Sequence, residues 1–174
     1  MKFDLTDKIH IRSVLSSDWE DLVRLEREIA ESDQEQEQDT VLTEKRNRAL
    51  LEKTLLAEEE GDVLAYLIAQ ELPEQARLSP FDRVPLEPGP YLAVVSLRVR
   101  PAYRKQGYGS LLLASLKQVV LENKMAGILL ACPEDCLDYF RMNGFVFEDV
   151  LSTGSPAQDS YIMKWKVEHD DSTS

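Results

Sequence analysis

The chain has 174 residues, of which 43% are hydrophobic and 30% charged, a composition typical of a globular protein with a sizeable core. Its formal net charge of −12 argues against non-specific binding to nucleic acid, which requires a basic surface. No secretory signal and no apolar run of membrane-spanning length is visible. We therefore expect a cytoplasmic protein with one domain over residues 1–168, a flexible tail over residues 169–174 and no membrane contact.

The first third of the chain predicts a strand followed by helix. Residues 8–14 alternate as a short strand, and Ser17 opens a sequence of the S-x-x-E capping-box form. An apolar stripe at helical spacing follows, formed by Trp19, Leu22, Val23, Leu25 and Ile29. The polar residues 31–40 predict a mobile connection, with continuation as an exposed helix as the alternative, and a second helix begins near Thr43.

The next segment leaves two structures open. Residues 54–60 are compatible with helix, or with a strand that turns at Gly61 into the apolar residues 63–69. Periodicity alone does not decide between the two. The turn followed by a clear strand favours a hairpin.

The second half predicts a long loop and then alternating elements. Residues 73–90 are too rich in proline for helix or central strand, and loops of this length are often functional. The elements expected after it are a strand (91–99), a helix (107–122), a strand (126–132), a short helix (134–143) that ends at Gly144, and two strands (145–148 and 161–167).

The cysteines and histidines do not form a metal-ligand pattern. Cys132 and Cys136 are too far apart for a C-x-x-C pair, and His10 and His169 lie at opposite ends of the chain. We expect a reduced protein without a metal.

The most informative segment is the turn between the strand at 91–99 and the following helix. It reads Arg-Lys-Gln-Gly-Tyr-Gly over residues 104–109. A strand, a glycine-spaced turn and a helix N-terminus together build an anion site, because glycine allows close approach and the first helical N–H groups lack intrahelical acceptors. The basic residues here stand out in so acidic a chain, and we attribute them to a bound polyphosphate: Arg98, Arg100, Arg104 and Lys105.

Two familiar phosphate-binding motifs do not fit this turn. A Walker P-loop requires G-x-x-x-x-G-K-[ST], and Gly107 and Gly109 have neither that spacing nor the lysine. A dinucleotide fingerprint requires a third glycine where this chain has Leu112.

The pattern R-x-x-G-x-G after a strand (Arg104, Gly107, Gly109) resembles the GNAT superfamily of acetyl-CoA-dependent N-acetyltransferases. A second segment supports this resemblance, since Phe140 to Phe145 looks like the aromatic-x-x-x-Gly-Phe sequence that follows the fifth strand of that family. The resemblance implies a single α/β (α+β) domain. Its mixed, mostly antiparallel sheet would have about seven strands, with helices on both faces and a splay between strands 4 and 5.

The resemblance also implies a cofactor site. The backbone of residues 97–99 would bind the pantetheine arm of CoA, and the N–H groups of residues 105–110, helped by Arg104, would hold its pyrophosphate. The residues implied in CoA binding are Leu97, Arg98, Val99, Arg104, Lys105, Gln106, Gly107, Tyr108, Gly109, Ser110 and Phe140.

The catalytic groups follow the family less well. The proline-rich insertion before the fourth strand, the sequence from Leu97 to Ser110 and the position of Cys132 also resemble the arylalkylamine (serotonin) N-acetyltransferases within the superfamily. The two proton-relay histidines of those enzymes fall on Ala93 and Val95. The usual thiolate-protonating tyrosine falls on Phe140, which leaves Tyr139, one residue earlier, as the candidate general acid. No carboxylate lies between Tyr91 and Val99.

Several further side chains are weaker candidates, each also explained by packing or solvation. A carboxylate near the end of the first helix could act as a remote base, although a solvated helix face explains these residues as well. The weaker candidates are Cys132, Ser96, Tyr66, Glu26, Glu28 and Glu31.

The expected function is transfer of an acetyl group from acetyl-CoA to a primary amine of a small molecule, peptide or protein, by direct attack in a ternary complex. The alternative is a GNAT-fold sensor that binds CoA but has lost its proton relay. The final two strands could meet a second copy, as homodimers are frequent in this superfamily. The acceptor, the acyl-chain preference and the general base stay open.

Overall fold

The computed structural model describes residues 8–34, 53–72, 80–155 and 158–168. The helix expected near Thr43, the first part of the proline-rich loop and the tail lie outside these residues. The helices are α1 (Trp19–Asp33), α2 (Tyr108–Glu122) and α3 (Leu137–Met142). The strands are β1 (Ile9–Ser13), β2 (Leu55–Glu59), β3 (Asp62–Leu72), β4 (Tyr91–Val99), β5 (Gly127–Cys132), β6 (Val146–Leu151) and β7 (Ser160–Lys166).

The strands form a seven-stranded mixed sheet in the order β1-β2-β3-β4-β5-β7-β6. Strand β4 runs parallel to β5, with Tyr91 opposite Gly127 and Val94 opposite Leu130. The pairs β1–β2, β2–β3, β5–β7 and β6–β7 are antiparallel. The predicted fold class, an α/β protein with a mixed sheet of about seven strands, is confirmed.

The chain divides into two compact units. The first unit comprises Met1–Gln70 with Val95–Leu116, and the second comprises Glu71–Val94 with Lys117–Ser174. The single domain that the sequence predicts stays a prediction. None of the helices in the described part of the chain is both long and apolar enough to cross a membrane.

The core of the first unit forms where α1 packs against strands of the hairpin. The predicted stripe of α1 supplies Leu22, Leu25 and Ile29, all buried, while Trp19 and Val23 cover the edge of the same cluster. Burial of each large aliphatic side chain stabilises the unit by about 1.5–3 kcal/mol. The remaining buried members are Val14, Leu56, Val63, Tyr66 and Ile68.

The core of the second unit is built around the first half of β4. It joins this strand to β5, β7 and the chain before β4 through Leu72, Phe81, Val84, Tyr91, Ala93, Leu129 and Ile162. Gly127 is required at the start of β5, since a Cβ there would lie 2.2 Å from the Trp165 carbonyl oxygen.

The hairpin predicted for residues 54–60 is confirmed. Strand β2 turns into β3 at Glu60 and Gly61, whose φ angles are +51° and +86°. Two successive positive φ angles give a turn whose twist matches that of the flanking strands.

The predicted capping box at Ser17 is wrong. A 3-10 turn over Ser16–Asp18 precedes α1, and the N-cap residue is Asp18, with no side-chain cap hydrogen bond. Its carboxylate instead accepts hydrogen bonds from the Leu15 N–H (2.7 Å) and from both terminal nitrogens of Arg12 (2.7 and 2.8 Å). Arg12 lies on β1, so a local sequence pattern does not reveal this competing partner.

Candidate functional site

The turn after β4 has the backbone geometry of an anion site. The Arg100 N–H donates to the Leu64 carbonyl (2.8 Å), which fixes the end of β4 against β3. A 3-10 turn over Pro101–Tyr103 follows, and Lys105 and Gly107 both have positive φ (+62° and +92°). These reversals bring the chain into the N-terminus of α2.

The first N–H groups of α2 precede any intrahelical acceptor, as at every helix N-terminus. The Leu111 N–H donates to the carbonyl of Gly107, the residue just before α2 (3.0 Å). The first turn of α2 carries no acidic residue that would compete with an anion. The partial positive charge of a 15-residue helix therefore meets the turn.

Gly107 lies where the turn leaves open space above the backbone. A Cβ placed there would meet no atom within 4 Å, but its φ of +92° strains any L side chain. The turn is braced from the side by Tyr103 and Tyr108, whose rings meet edge to face at 6.0 Å. The open space over Gly107 suits the close approach of a ligand to the backbone.

The basic residues near the turn have partners within the protein. Arg98, Arg100 and Arg104 pair with Glu26, Glu28 and Asp33 of α1, respectively. The sequence-based attribution of the basic cluster to a bound polyphosphate stays a prediction. Carboxylates of α1 already explain three of its four cations.

The Glu26–Arg98 pair is the most buried of the three. Both Nε and Nη2 of Arg98 donate to Oε1 of Glu26 (3.2 and 3.1 Å), whose side chain is 4% exposed. The interpretation of Glu26 as part of a solvated helix face is wrong, because α1 turns this position inward. Glu28 and Glu31 are exposed, as that interpretation predicted.

Arg104 is held at three points. Its terminal nitrogens donate to the two carboxylate oxygens of Asp33 (2.8 and 2.7 Å), and its Nε donates to the Val99 carbonyl (3.3 Å). A bidentate arginine–carboxylate pair fixes the orientation of the guanidinium as well as neutralising it. Sequence reasoning did not identify Asp33, because its partner is 71 residues away.

The second predicted site segment lies on α3. Phe140 is buried and contacts Tyr139 and Phe145 edge to face, with ring centroids 5.1 and 5.8 Å apart. Tyr139 is 38% exposed. Asn143 ends the helix, and Gly144 follows with a φ of +88°. The predicted C′ glycine is thus confirmed.

Lys117 of α2 contacts this segment. Sequence reasoning did not identify this lysine. Its ammonium group donates to the Asn143 carbonyl and lies 5.6 Å from the Phe145 ring centroid and 5.3 Å from that of Trp165. Burial lowers the pKa of Lys117. The lysine fits against Gly144, where a Cβ would lie 3.2 Å from its Nζ.

The weaker catalytic candidates have structural explanations. Cys132 is buried, and burial raises the pKa of its thiol to about 11, so the thiol stays protonated at neutral pH. Burial also raises the pKa of Cys136. Tyr66 is fully buried in the core of the first unit, and its hydroxyl has no hydrogen-bond partner among the described residues.

Of the two positions at which the resemblance expects histidines, one is buried and the other is exposed. Ala93 is part of the core of the second unit, and Val95 is 38% exposed. Within residues 8–34, 53–72, 80–155 and 158–168, no group of three or more His, Cys, Asp or Glu side chains could hold a metal ion.

Comparison with known proteins identifies the family. The sequence model of the Acetyltransferase (GNAT) family matches residues 17–145, which include both the turn and the α3 segment. The chain therefore belongs to the GNAT family of acetyltransferases. No curated protein matches the sequence significantly.

Solved structures share the fold. Ard1 from Thermoplasma volcanium is 18% identical, with a TM-score of 0.67 over 93% of this chain and 99% of that one. NAA60 of Arabidopsis thaliana, in complex with acetyl-CoA, is 16% identical, with a TM-score of 0.70 over 91% and 99% of the two chains. The PaiA N-acetyltransferase of Thermoplasma acidophilum, in complex with coenzyme A, is 18% identical, with a TM-score of 0.66 over 91% and 99%.

The family membership confirms the predicted class of enzyme, a GNAT-type N-acetyltransferase. Two of the solved structures contain acetyl-CoA or coenzyme A, the cosubstrate that the sequence predicts here. The roles of individual residues in the turn, on β4 and on α3 stay predictions. The closer likeness to arylalkylamine N-acetyltransferases stays a sequence-based resemblance.

Proposed function

We propose that the protein transfers the acetyl group of acetyl-CoA to a primary amine by direct attack within a ternary complex. The observation that carries this proposal is the turn between β4 and α2. In a GNAT chain, two positive-φ residues at 105 and 107 lead directly into a helix N-terminus with no acid in its first turn.

The proposed cofactor contacts are mainly made by the backbone. The N–H groups of residues 105–110 would hold the pyrophosphate, and the open space over Gly107 admits its oxygens. The backbone of Leu97, Arg98 and Val99 would bind the pantetheine arm. The Glu26–Arg98 ion pair supports this assignment, because it fixes the strand that must present those groups.

The acceptor must reach the thioester as a free amine. Its nitrogen attacks the thioester carbon and loses a proton, the C–S bond breaks, and the departing sulfur takes a proton. The net charge of −12 favours an acceptor that is cationic before it loses its proton. We propose a small polyamine-like or peptide amine as its chemical class, in the cytoplasm, where the free thiols of Cys132 and Cys136 stay reduced.

Tyr139 is the proposed general acid for the departing thiolate. Its exposure supports this role, as does the rigidity of its neighbour Phe140, which α3 and Phe145 hold in place. Positioning and polarisation of the thioester carbonyl by backbone N–H groups would supply much of the remaining rate.

The sensor alternative is motivated by Ala93 and Val95, which replace the expected relay histidines. It shares the cofactor site with the enzyme and differs only in the absence of turnover. Binding experiments therefore test both, and turnover separates them.

The test of the cofactor site is a thermal-shift titration with acetyl-CoA. A ligand that binds only the folded state raises the melting temperature as its concentration increases. We expect a concentration-dependent rise with acetyl-CoA and with CoA. The absence of a shift for both at saturating concentration would rule out the enzyme and the sensor together.

We propose that a homodimer, if formed, uses β6, the terminal strand in the sheet order. Exposed large apolar side chains concentrate around it: Tyr139, Met142, Val146, Phe147, Val150 and Leu151. Such an edge is suited to pairing with a second copy. Light scattering after gel filtration tests this, with Phe147→Lys expected to give a monomer. A wild-type protein that stays monomeric at high concentration would exclude the dimer.

A further inference from the structure

The last turn of α1 is electrostatically unusual. It contains Glu31 and Asp33 and no basic residue, although acids at a helix C-terminus are unfavourable. Asp33 is the final residue of the helix, and it faces the guanidinium of Arg104. An acid at this position is therefore explained by its partner on the turn and not by the helix itself.

The Asp33 carboxylate already binds the Arg104 guanidinium, the cation near the turn that could otherwise bind a phosphate. Both terminal nitrogens of Arg104 bind the Asp33 carboxylate at 2.7–2.8 Å, while its Nε binds the Val99 carbonyl. The side chains of Arg104 and Asp33 are 40% and 27% exposed, respectively, so an incoming anion can reach the pair. The hydrogen bonds from Arg104 lower the pKa of Asp33, which keeps the carboxylate ionised at neutral pH.

We propose that Asp33 is an affinity-setting residue that competes with the pyrophosphate of CoA for Arg104. This inference rests on the proposed cofactor site. An arriving pyrophosphate must share or displace the Asp33 carboxylate, and the two anions repel each other across the same guanidinium. Asp33 thereby weakens cofactor binding.

The competition has a use in the catalytic cycle. Free CoA is the product that must leave, and it carries the same pyrophosphate as acetyl-CoA. A carboxylate that returns to Arg104 favours its departure, and product release limits turnover in many enzymes. Removal of the carboxylate should therefore tighten CoA binding and strengthen product inhibition.

The test is the variant Asp33→Asn, which keeps the shape of the side chain and removes its charge. Calorimetric titration with CoA should give a dissociation constant roughly three- to tenfold lower than that of the wild type at low salt, and the gain should shrink in about 0.5 M salt. Acetylpantetheine, which lacks the pyrophosphate, should bind both proteins equally. Asp33→Ser provides a second variant should the first fold poorly.

Two further variants complete the experiment. Glu28→Gln removes an acid from the same helix that pairs with Arg100 and not with the turn, and CoA affinity should be unchanged. In an Arg104→Gln background, Asp33→Asn should lose most of its effect, because the competition needs the guanidinium. A coupling of this kind between the two positions separates competition from a general change of surface charge.

The outcomes distinguish this inference from the proposed function. If wild-type protein does not bind CoA, the cofactor site itself is wrong. If it binds CoA and Asp33→Asn binds with equal or lower affinity, the competition is overturned and the cofactor site stands. An equal gain for acetylpantetheine would also overturn it, because the effect would then not involve the pyrophosphate.

Discussion

The turn between β4 and α2 and the α3 segment carry the two halves of the expected chemistry, and they are built in different ways. Near the turn, the charges of three arginine side chains are paired within the protein, and the proposed anion site consists mainly of backbone N–H groups. In α3, the arrangement depends on aromatic side chains, of which Tyr139 has a hydroxyl that can transfer a proton. The proposed recognition of the cofactor depends on backbone geometry, which is compatible with a strongly acidic chain. Proton transfer depends on the identity of individual side chains.

The largest expected effect comes from a substitution in α3 that leaves the turn unchanged. Tyr139→Phe should reduce turnover about 100-fold, because a general acid contributes roughly 10²–10⁴ to the rate. The KM for acetyl-CoA should change little, since the turn is untouched. Steady-state kinetics measure both, and Tyr161→Phe, whose ring also contacts a phenylalanine, is the matched control. Unchanged turnover in Tyr139→Phe would remove this tyrosine from the mechanism.

The second prediction concerns the ion pairs that fix the turn half. Glu26→Gln should lower the free energy of unfolding by about 2 kcal/mol, because it weakens a buried charge-assisted pair. Glu28→Gln, in a pair at 3.4 Å whose carboxylate side chain is 49% exposed, should cost less than about 0.5 kcal/mol. Chemical denaturation measures the two. Equal effects would contradict the difference in burial on which this prediction depends.

Variants of two glycines separate the effect of backbone strain on stability from the effect of ligand contact on affinity. Gly107 and Gly154 both have positive φ (+92° and +86°), and a Cβ at either meets no atom within 4 Å. Alanine at each should cost about 1 kcal/mol in stability. Gly107→Ala alone should weaken acetyl-CoA binding, by about tenfold, as measured by calorimetry. A similar loss of affinity in Gly154→Ala would show that the effect is not local to the turn.

The remaining prediction is a pH dependence of stability away from both halves. Hydrogen bonds from Arg12 lower the pKa of Asp18 from its ordinary value of 3.8. The stabilisation by this pair is therefore fully present above the unfolded pKa and is lost as the pH falls through the folded value. Asp18→Asn should be about 1–2 kcal/mol less stable at pH 7, and the difference should vanish in strong acid. Thermal melts from pH 2 to 7 test this. A constant difference would exclude the linkage.

Most of the elements could be predicted because their signals are local. The strand from Tyr91 to Val99 and the helix that follows were expected from an apolar run, a glycine-spaced turn and helical periodicity, and the structure has both. Gly61 and Gly144 marked chain reversals that do require positive φ. Patterns of this kind depend on a few neighbouring residues.

The site was less predictable because its contacts are distant in sequence. Arg98 pairs with Glu26 across 72 residues, and Arg104 with Asp33 across 71. The basic cluster near the turn therefore suggested a bound ligand, because the sequence does not show that carboxylates of α1 pair with three of its arginines. The capping box expected at Ser17 is wrong for a different reason: Asp18 pairs with Arg12 of β1, a contact that helix-capping patterns do not include.

Release of free CoA thiol from acetyl-CoA, measured across a panel of amines, tests the central claim most directly. The panel should contain small polyamines and peptides with free N-termini, with the amine-free reaction as the baseline. We predict amine-dependent thiol release with at least one acceptor class, and a loss of that release in Tyr139→Phe. Binding of acetyl-CoA without amine-dependent release from any acceptor would contradict an N-acetyltransferase and favour the sensor.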